Sequence, residues 1–445
     1  MPEIPFVALS DLCPPKRSIT YGIVQPGKPD DIGVPIVRVN NFRGHRLDLT
    51  ECLCVAPKVE AQYSRSRPQP NDVLISLVGS IGQVAIAGPE ISGWNLARAV
   101  GLIPTKDRHH ALWIFYALQS PEAQQYIRQH ANTTVQATFN LKDLTNFPIP
   151  YPARQGREQI IGMLGSLDNK IELNRKMNET LEAIAQAIFR DWFVEFGPTR
   201  RKQDGATNPV TIMGGLVQDT ERAQALADLF PATLGDDSLP EGWERKSLLE
   251  QANWINGAAF KNMHFSDAPD ALPVVKIAEL KNGVTSNTKF TNTALGERYR
   301  IADGELLFSW SGNPDTSIDA FVWIGGNAWL NQHIFAVREN GVRSKAALYV
   351  LLKALMPQFA ELARNKQTTG LGHVTKEDMK RLEIAVAPEP VETAFELVIT
   401  PFMDMLVSRL FENRTLAATR DLLLPKLMSG EIRLPEAEEV MEAAQ

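Results

Sequence analysis

Cysteine is scarce: Cys13, Cys52 and Cys54 are the only three in 445 residues. They are too few and too close together for a disulfide framework, and no second Cys/His group joins them to hold zinc. No apolar run reaches membrane-spanning length, and no signal peptide opens the chain. A soluble, cytoplasmic protein without a membrane partner is expected. Catalytic signatures are missing as well. No G-x-x-x-x-G-K-[ST] loop is present to cradle a nucleotide, and Gly79-Ser80-Ile81-Gly82 lacks the three-glycine spacing of a dinucleotide site. Asn208-Pro209-Val210 and Asn313-Pro314-Asp315 lack the aromatic that follows proline in an amino-methyltransferase motif. The seven histidines show no metal-binding spacing, and His109-His110 reads as a polar turn before a helix. The sequence therefore predicts neither a resident metal nor a catalytic residue.

An excess of positive charge is lacking too. The net charge is −6 from 46 basic and 52 acidic residues. By region, residues 1–150 carry +2, 151–200 and 241–390 balance, 201–240 carry −3 and 391–445 carry −5. The acid lies in a linker and a tail, so a basic face on either globular region is permitted but not demanded.

What the chain does have is a long heptad. From Arg157 to Phe196 the apolar positions Ile160, Leu164, Leu167, Ile171, Leu181, Ala185, Ile188 and Trp192 recur at 4-3 spacing, interrupted only by Asn174 and Asn178. Gly197-Pro198 is expected to stop this helix. At 1.5 Å per residue it spans roughly 55 Å, about twice what a compact domain needs. A second seam lies 235 residues on: Phe395, Ile399, Phe402, Leu406, Leu416, Leu423 and Leu427, with Arg409, Asn413 and Arg420 at its polar steps.

The globular regions repeat at nearly the same offset. Pro35-Ile36-Val37-Arg38-Val39 matches Pro273-Val274-Val275-Lys276-Ile277, and Val73-Leu74-Ile75-Ser76 matches Leu306-Leu307-Phe308-Ser309. Asn95 aligns with Asn331, Ala111 to Tyr116 with Ala347 to Leu352, Thr133-Thr134 with Thr368-Thr369, and Asp143 with Asp378. The expected fold is α+β: two duplicated α/β domains separated by two long antiparallel helices that form a coiled coil. Residues 1–152 form the first domain, 153–197 the first spacer helix and 198–238 a linker in which only 220–230 looks helical. Residues 239–388 form the second domain, 389–430 the second spacer helix and 431–445 an acidic tail.

Two bulky, duplicated domains without catalytic groups fit a recognition protein with two reading heads. Arg38, Asn40, Arg43 and Arg46, followed by Arg65 and Arg67, supply side chains that pair bidentately with guanine or adenine edges. Lys276, Lys281 and Lys289 occupy the comparable stretch of the second half, with Asn313 at a polar tip. Lys366 and the paired threonines Thr133, Thr134, Thr368 and Thr369 suit phosphate oxygens. The aromatic rod end Phe189, Trp192, Phe193 and Phe196 suits a partner helix bundle, and packing against the neighbouring globule explains it about as well. A scaffold whose heads bind proteins is the alternative function.

Particular motifs now bear on that choice. Leu77-Val78-Gly79-Ser80-Ile81-Gly82, Leu239-Pro240-Glu241-Gly242-Trp243, Asn256-Gly257-Ala258-Ala259-Phe260, the two Thr-Thr loops and the rod ends Phe189-Arg190-Asp191-Trp192-Phe193 and Leu424-Pro425-Lys426-Leu427-Met428-Ser429-Gly430 occur in order. With the half-chain duplication, they make the chain resemble the specificity (S) subunit of a type I restriction–modification enzyme over essentially its whole length. The resemblance implies target-recognition domains that each read half of a bipartite, asymmetric sequence in double-stranded DNA, with the paired helices setting the gap. It also implies docking of two methyltransferase subunits carrying S-adenosylmethionine. Restriction subunits, where present, would bring ATP and Mg, and this chain itself would bind no cofactor. Trp310-Ser311-Gly312-Asn313 departs from its counterpart Leu77-Val78-Gly79-Ser80, so the turn bearing Asn313 differs in shape.

Overall fold

A computed structural model describes residues 4–132, 137–366, 371–432 and 434–442. The chain forms two compact units, Met1–Ile171 with Thr415–Gln445, and Glu172–Arg414.

The centre of the first unit is an antiparallel sheet ordered Thr20–Tyr21, Val100–Ile103, Val73–Ser76, Val84–Ile86. Val73–Ser76 and Val100–Ile103 are buried at every position. Both faces of the sheet are therefore covered, and the continuous apolar run Val73-Leu74-Ile75 follows from that. One cover is the helix Arg108–Gln119, started by Asp107, whose carboxylate accepts the His110 N–H at 2.9 Å. Ser120 and Pro121 start the next helix, Pro121–Gln129, in the same manner. The other cover is a small mixed sheet in which Val34–Val37 runs antiparallel to Leu53–Val55 and parallel to Asn95–Leu96. Phe6–Ala8 pairs with Pro148–Pro150 and brings the start of the chain beside the entry to the first long helix.

The second unit repeats this plan. Its central sheet is ordered Asn253–Asn256, Ile334–Arg338, Leu306–Ser309, Asp319–Val322, and Leu272–Val275 runs parallel to Ala328–Leu330. Glu244–Ser247 pairs with Glu383–Val386 where the first unit pairs its ends. The duplication read from sequence is thus a duplication of topology, with one adjustment. The Ala97 N–H donates to the Val37 carbonyl at 2.9 Å, and the Asn331 N–H donates to the Val275 carbonyl at 3.0 Å. Asn331 therefore stands in the place of Ala97, two residues past Asn95, because the two copies differ in loop length.

One glycine in each copy is held by a close approach of chains. Ile23 N–H reaches the Leu96 carbonyl at 2.7 Å, and Ala258 N–H reaches that of Leu330 at 2.9 Å. A Cβ on Gly22 would stand 1.9 Å from the Leu96 oxygen, and one on Gly257 2.1 Å from the Asn331 oxygen.

The first long helix is Arg154–Phe189 and the second Glu389–Ser429. Within the first unit, Ile160, Leu164 and Leu167 share a core with Leu423 and Leu427, and Arg420 Nη1 meets Asp168 Oδ1 at 2.8 Å. Within the second, Asn174 Nδ2 donates to Glu412 Oε2 at 2.7 Å and Asn413 Oδ1 at 3.0 Å. Asn178 Nδ2 reaches the Leu406 carbonyl at 3.2 Å, and the Phe189 and Phe395 rings lie 5.8 Å apart. As the first helix advances, its partners recede in number, so the pairing is antiparallel as expected. Arg409 is half-buried, and its guanidinium turns back along its own helix to the Met405 carbonyl at 3.4 Å. Pro401 and Pro425 sit inside the second helix without ending it.

The first helix does not run on to Phe196. A π-helical turn, Arg190–Val194, follows it, Phe196 adopts a left-handed φ of 53°, and Gly197-Pro198 open a new helix, Gly197–Gln203. Proline is suited to a first helical turn, which has no N–H to lose. Residues 198–238 are more than a linker. They form the helices Gly197–Gln203, Pro209–Ile212 and Thr220–Ala227, and bury Ile212, Met213, Ala223, Ala227 and Phe230. Arg201 holds the segment down, bidentate to Asp191 at 2.8 Å and donating to the Ile212 carbonyl at 2.6 Å. Among the described residues no single helix is long and apolar enough to cross a membrane.

Gly22→Ala and Gly257→Ala are each expected to destabilise their own unit by about 1–3 kcal/mol, the cost of forced overpacking. Gly162→Ala, in the first long helix with nothing within 4 Å of the new methyl, should instead stabilise by about 0.5–1 kcal/mol. Urea denaturation midpoints check both signs.

Candidate nucleic-acid interface

The sequence-local cluster in the first unit divides into exposed and committed side chains. Arg43 and Arg46 are exposed on a hairpin, Phe42–Arg43 with Arg46–Leu47, that lies beside Val84–Ile86. His45 at its tip meets the Phe115 ring edge-on at 5.9 Å. Arg43 Nε stands 3.6 Å from Asp48. Asn40 is exposed, while its neighbour Asn41 is buried and structural, accepting the Arg38 N–H and donating to the Asp48 and Glu51 carbonyls. Arg38 is half-buried at the end of its strand. Arg65 is exposed and makes no side-chain bond with any described residue. Arg67 is occupied: it forms a two-bond pair with Glu60 at 2.6 and 2.7 Å, and Glu60 also accepts from Asn95 Nδ2 at 2.9 Å.

The second unit divides in the same way. Glu279 accepts the Lys276 N–H at 2.9 Å, as Asn41 does that of Arg38, and the Lys276 ammonium lies 5.4 Å from the Phe265 ring. Lys281 donates to the Thr316 carbonyl. Lys289 is exposed. Asn313 is exposed, but its Oδ1 is spent on the Asp315 and Thr316 N–H groups of its own turn. Lys366 is paired with both oxygens of Asp378 at 2.6 Å. Burial raises the Asp378 pKa, and the bonds from Lys366 and Thr375 outweigh that and hold it below the usual carboxylate range. Thr133, Thr134, Thr368 and Thr369 lie outside the described residues.

The aromatic rod end is taken up by this chain's own core. Phe189, Trp192 and Phe193 are buried in the second unit, with Trp192 5.0 Å from Phe230 and Phe193 4.9 Å from Phe395; Phe196 is half-buried against Trp243 at 5.6 Å. The exposed apolar residues of the first helix in this unit are Leu173, Met177 and Ile184. Their spacing of four and seven puts them on one face. Asp107, His109 and His110 bring possible metal-ligand atoms within 4.8 Å of one another. Asp107 is already committed as a helix cap, and its Oδ1 is also 2.9 Å from His110 Nδ1.

Sequence reading passed over Tyr21, Arg98 and Asn140. They lie far apart along the chain, but backbone bonds gather their segments at one edge of the first unit's sheet. Leu77 N–H donates to the Ala99 carbonyl and Phe139 N–H to the Leu77 carbonyl, both at 2.8 Å, and Arg98 N–H donates to the Ile23 carbonyl at 2.9 Å. The result is a cleft of about 390 Å³ lined by Tyr21, Val78, Arg98, Thr138 and Asn140. The hairpin bearing Arg43 and Arg46 lies by the opposite edge strand of the sheet.

Comparison with known proteins supplies the family. The type I restriction modification DNA specificity domain matches residues 6–183 and again residues 240–394. The specificity subunit of the type I restriction enzyme HindI of Haemophilus influenzae is 25% identical over 357 residues, 72% of this chain and 77% of that one. The MjaIX specificity subunit of Methanocaldococcus jannaschii is 24% identical over 82% of this chain and 78% of its own. The EcoBI specificity subunit of Escherichia coli is 31% identical over 190 residues, 40% of each chain. Among solved structures, the S subunit of a type I restriction-modification system from M. genitalium aligns over 95% of both chains with 13% identity and a TM-score of 0.44.

The Glu60 carboxyl is held below its ordinary pKa, first by the Arg67 hydrogen bonds and also by Asn95. A depressed carboxylate stabilises the fold above its unfolded pKa of about 4.3 and loses that contribution as pH falls through the folded value. Wild-type protein should therefore lose more stability between pH 7 and pH 3.5 than Glu60→Gln does. Parallel urea melts at the two pH values measure the difference, and equal losses would remove Glu60 from the acid response.

Proposed function

This chain belongs to the type I restriction–modification DNA specificity family, and we propose that it reads a bipartite, asymmetric DNA site, one half with residues 1–152 and the other with 239–388. DNA-sequence recognition is the role of the family, and its subunits are non-catalytic. The observation that carries the finer reading is the doubled topology. One sheet order occurs twice with different polar side chains at equivalent edges. Two identical heads would suit a palindrome, whereas two differing heads suit a site whose halves differ.

The long helices fit the part of spacer. The first has 36 residues, a rise of roughly 54 Å, against about 34 Å for one turn of duplex. Docking of two methyltransferase subunits carrying S-adenosylmethionine, and of restriction subunits using ATP and Mg, completes the proposed complex in the cytoplasm. The near-neutral globular regions support that assembly, because phosphate neutralisation must then come largely from partners. Leu173, Met177 and Ile184, with exposures of 53%, 37% and 38%, are a better docking stripe for a methyltransferase helix than the buried rings at Phe189 to Phe196.

Exchanging residues 1–152 for another such domain should change one half of the methylated motif and leave the other intact, as read by single-molecule methylome sequencing. Altered recognition of both halves, or binding that ignores sequence, would favour a protein-binding scaffold instead. Adding a heptad to each long helix should widen the unread gap with both half-sites unchanged. Leu173→Asp with Met177→Asp should abolish co-purification of the methyltransferase without lowering the melting temperature. Unaltered co-purification would place the docking surface elsewhere.

A further inference from the structure

The cleft of the first unit carries unspent hydrogen-bonding capacity. Arg98 is exposed, and its guanidinium has no acceptor among the described residues. For an arginine alone that is the ordinary condition of a solvated surface. Asn140 makes the difference. It stands at the N-cap of the helix Leu141–Thr145 with the extended backbone of a cap (φ −75°, ψ 148°), yet its side chain makes no capping bond. An N-cap asparagine ordinarily accepts the N–H two or three residues on. The corresponding residue of the second unit, Thr375, does cap its helix and also bonds to Asp378. Asn140 therefore forgoes a stabilising bond and presents a free carboxamide on the same rim as Arg98. Tyr21, 40% exposed, adds a phenol that makes no hydrogen bond with any described residue.

We propose that this rim is the base-reading site of the first domain, with Arg98 pairing to a guanine edge and Asn140 to an adenine edge in the major groove. The inference rests on the DNA-recognition reading above and names the residues that would execute it. Arginine matches guanine O6 and N7 with two parallel donors, and the asparagine carboxamide matches adenine N6 and N7; both pairings need side chains free of internal partners. That requirement separates this rim from Arg67 and Lys366, whose charges are spent, and from Asn313, whose acceptor is spent.

The second unit has the same edge with other side chains. Val374 N–H donates to the Trp310 carbonyl as Phe139 N–H does to that of Leu77, and Asn331 stands for Ala97. By that register Tyr21, Leu77, Arg98 and Asn140 become Asn256, Trp310, Gln332 and Thr375. Trp310 Nε1 donates to Asn256 Oδ1 at 2.9 Å and fills this side with an indole, while Gln332 is exposed with its Nε2 3.2 Å from His333 Nε2. Gln332 is the counterpart reading residue of the second half, with glutamine's preference for adenine. Reading by it requires that this exposed contact with His333 give way.

The test is methylome sequencing of a host expressing the full chain with its methyltransferase, wild type and variants in parallel. Arg98→Lys keeps the charge but loses the two-pronged fork. It should cost roughly five- to hundredfold in discrimination at one base pair of one half-site. Asn140→Ala should relax a second position in the same half, and Gln332→Ala a position in the other half. Arg65→Ala is the comparator, expected to lower methylation without altering the motif. The proposal is overturned if Arg98→Lys and Asn140→Ala retain the wild-type motif. It is equally overturned if Arg98→Ala lowers methylation uniformly and Arg98→Lys restores it, since that marks a phosphate contact. A wild-type complex that methylates no two-part motif would instead overturn the DNA-reading assignment beneath it.

Discussion

Burial of the heptad seam is the constraint on which the rest of the structure depends, and its polar steps decide how it is met. Asn174 is 1% exposed, and an amide in that position costs stability unless its hydrogen bonds are made. The antiparallel register that brings Glu412 and Asn413 beside it satisfies those bonds, and a polar residue on a seam favours the register that pairs it over slipped ones. Each unit adds a carboxylate that ties its globule to the same helix. In the first, Asp168 accepts from Tyr116 and pairs with Arg420. In the second, Glu182 accepts from Tyr349 and stands 3.6 Å from Lys353. Burial first, and the neighbouring carboxylate second, push both phenols above their ordinary pKa. Both tyrosines therefore remain donors at neutral pH.

Charge economy follows from the same packing. Many cations of the two units hold the fold: Arg17 with Asp72, Arg67 with Glu60, Arg343 with Glu392 and Lys366 with Asp378. A guanidinium that closes an internal pair cannot also meet a base without leaving its carboxylate unpaired. The number of side chains free to touch DNA is thus much smaller than the count of arginines and lysines suggests. Under the proposed function, a head of this kind discriminates at a few base pairs while partner surfaces supply affinity.

The helices and the duplication were legible in the sequence because they are periodic. A 4-3 seam and a repeat near 235 residues survive any ignorance of side-chain geometry. The helix boundary at Phe189 was not legible, because a π-helical turn and a left-handed Phe196 leave no periodic trace. Nor was the packing of residues 198–238, whose apolar residues Ile212, Met213 and Phe230 are too sparse to show a period. The reading rim was hidden for a different reason. Arg38 to Arg46 attract notice as neighbours along the chain, but sequence proximity placed only Arg43 and Arg46 on one hairpin, with Arg38 half-buried at the end of the preceding strand. Tyr21, Arg98 and Asn140 are brought together only by backbone hydrogen bonds between strands, and no local pattern encodes that meeting.

Those backbone bonds also show how one scaffold can carry the two different edges proposed to read the half-sites. Where chains approach closely, the two copies carry the same residue: glycine at 22 and at 257, because any Cβ would strike a carbonyl. At the rim, where Arg98, Asn140 and Gln332 are exposed, the copies differ in charge and hydrogen-bonding sense: arginine against glutamine, asparagine against threonine. The main chain holds the positions fixed whatever side chain they bear, so the rim can change without disturbing the sheet. The capping bond that Thr375 makes and Asn140 does not is the one place where this separation breaks down. There the first unit forgoes a capping bond and leaves an exposed carboxamide available to a partner outside the chain.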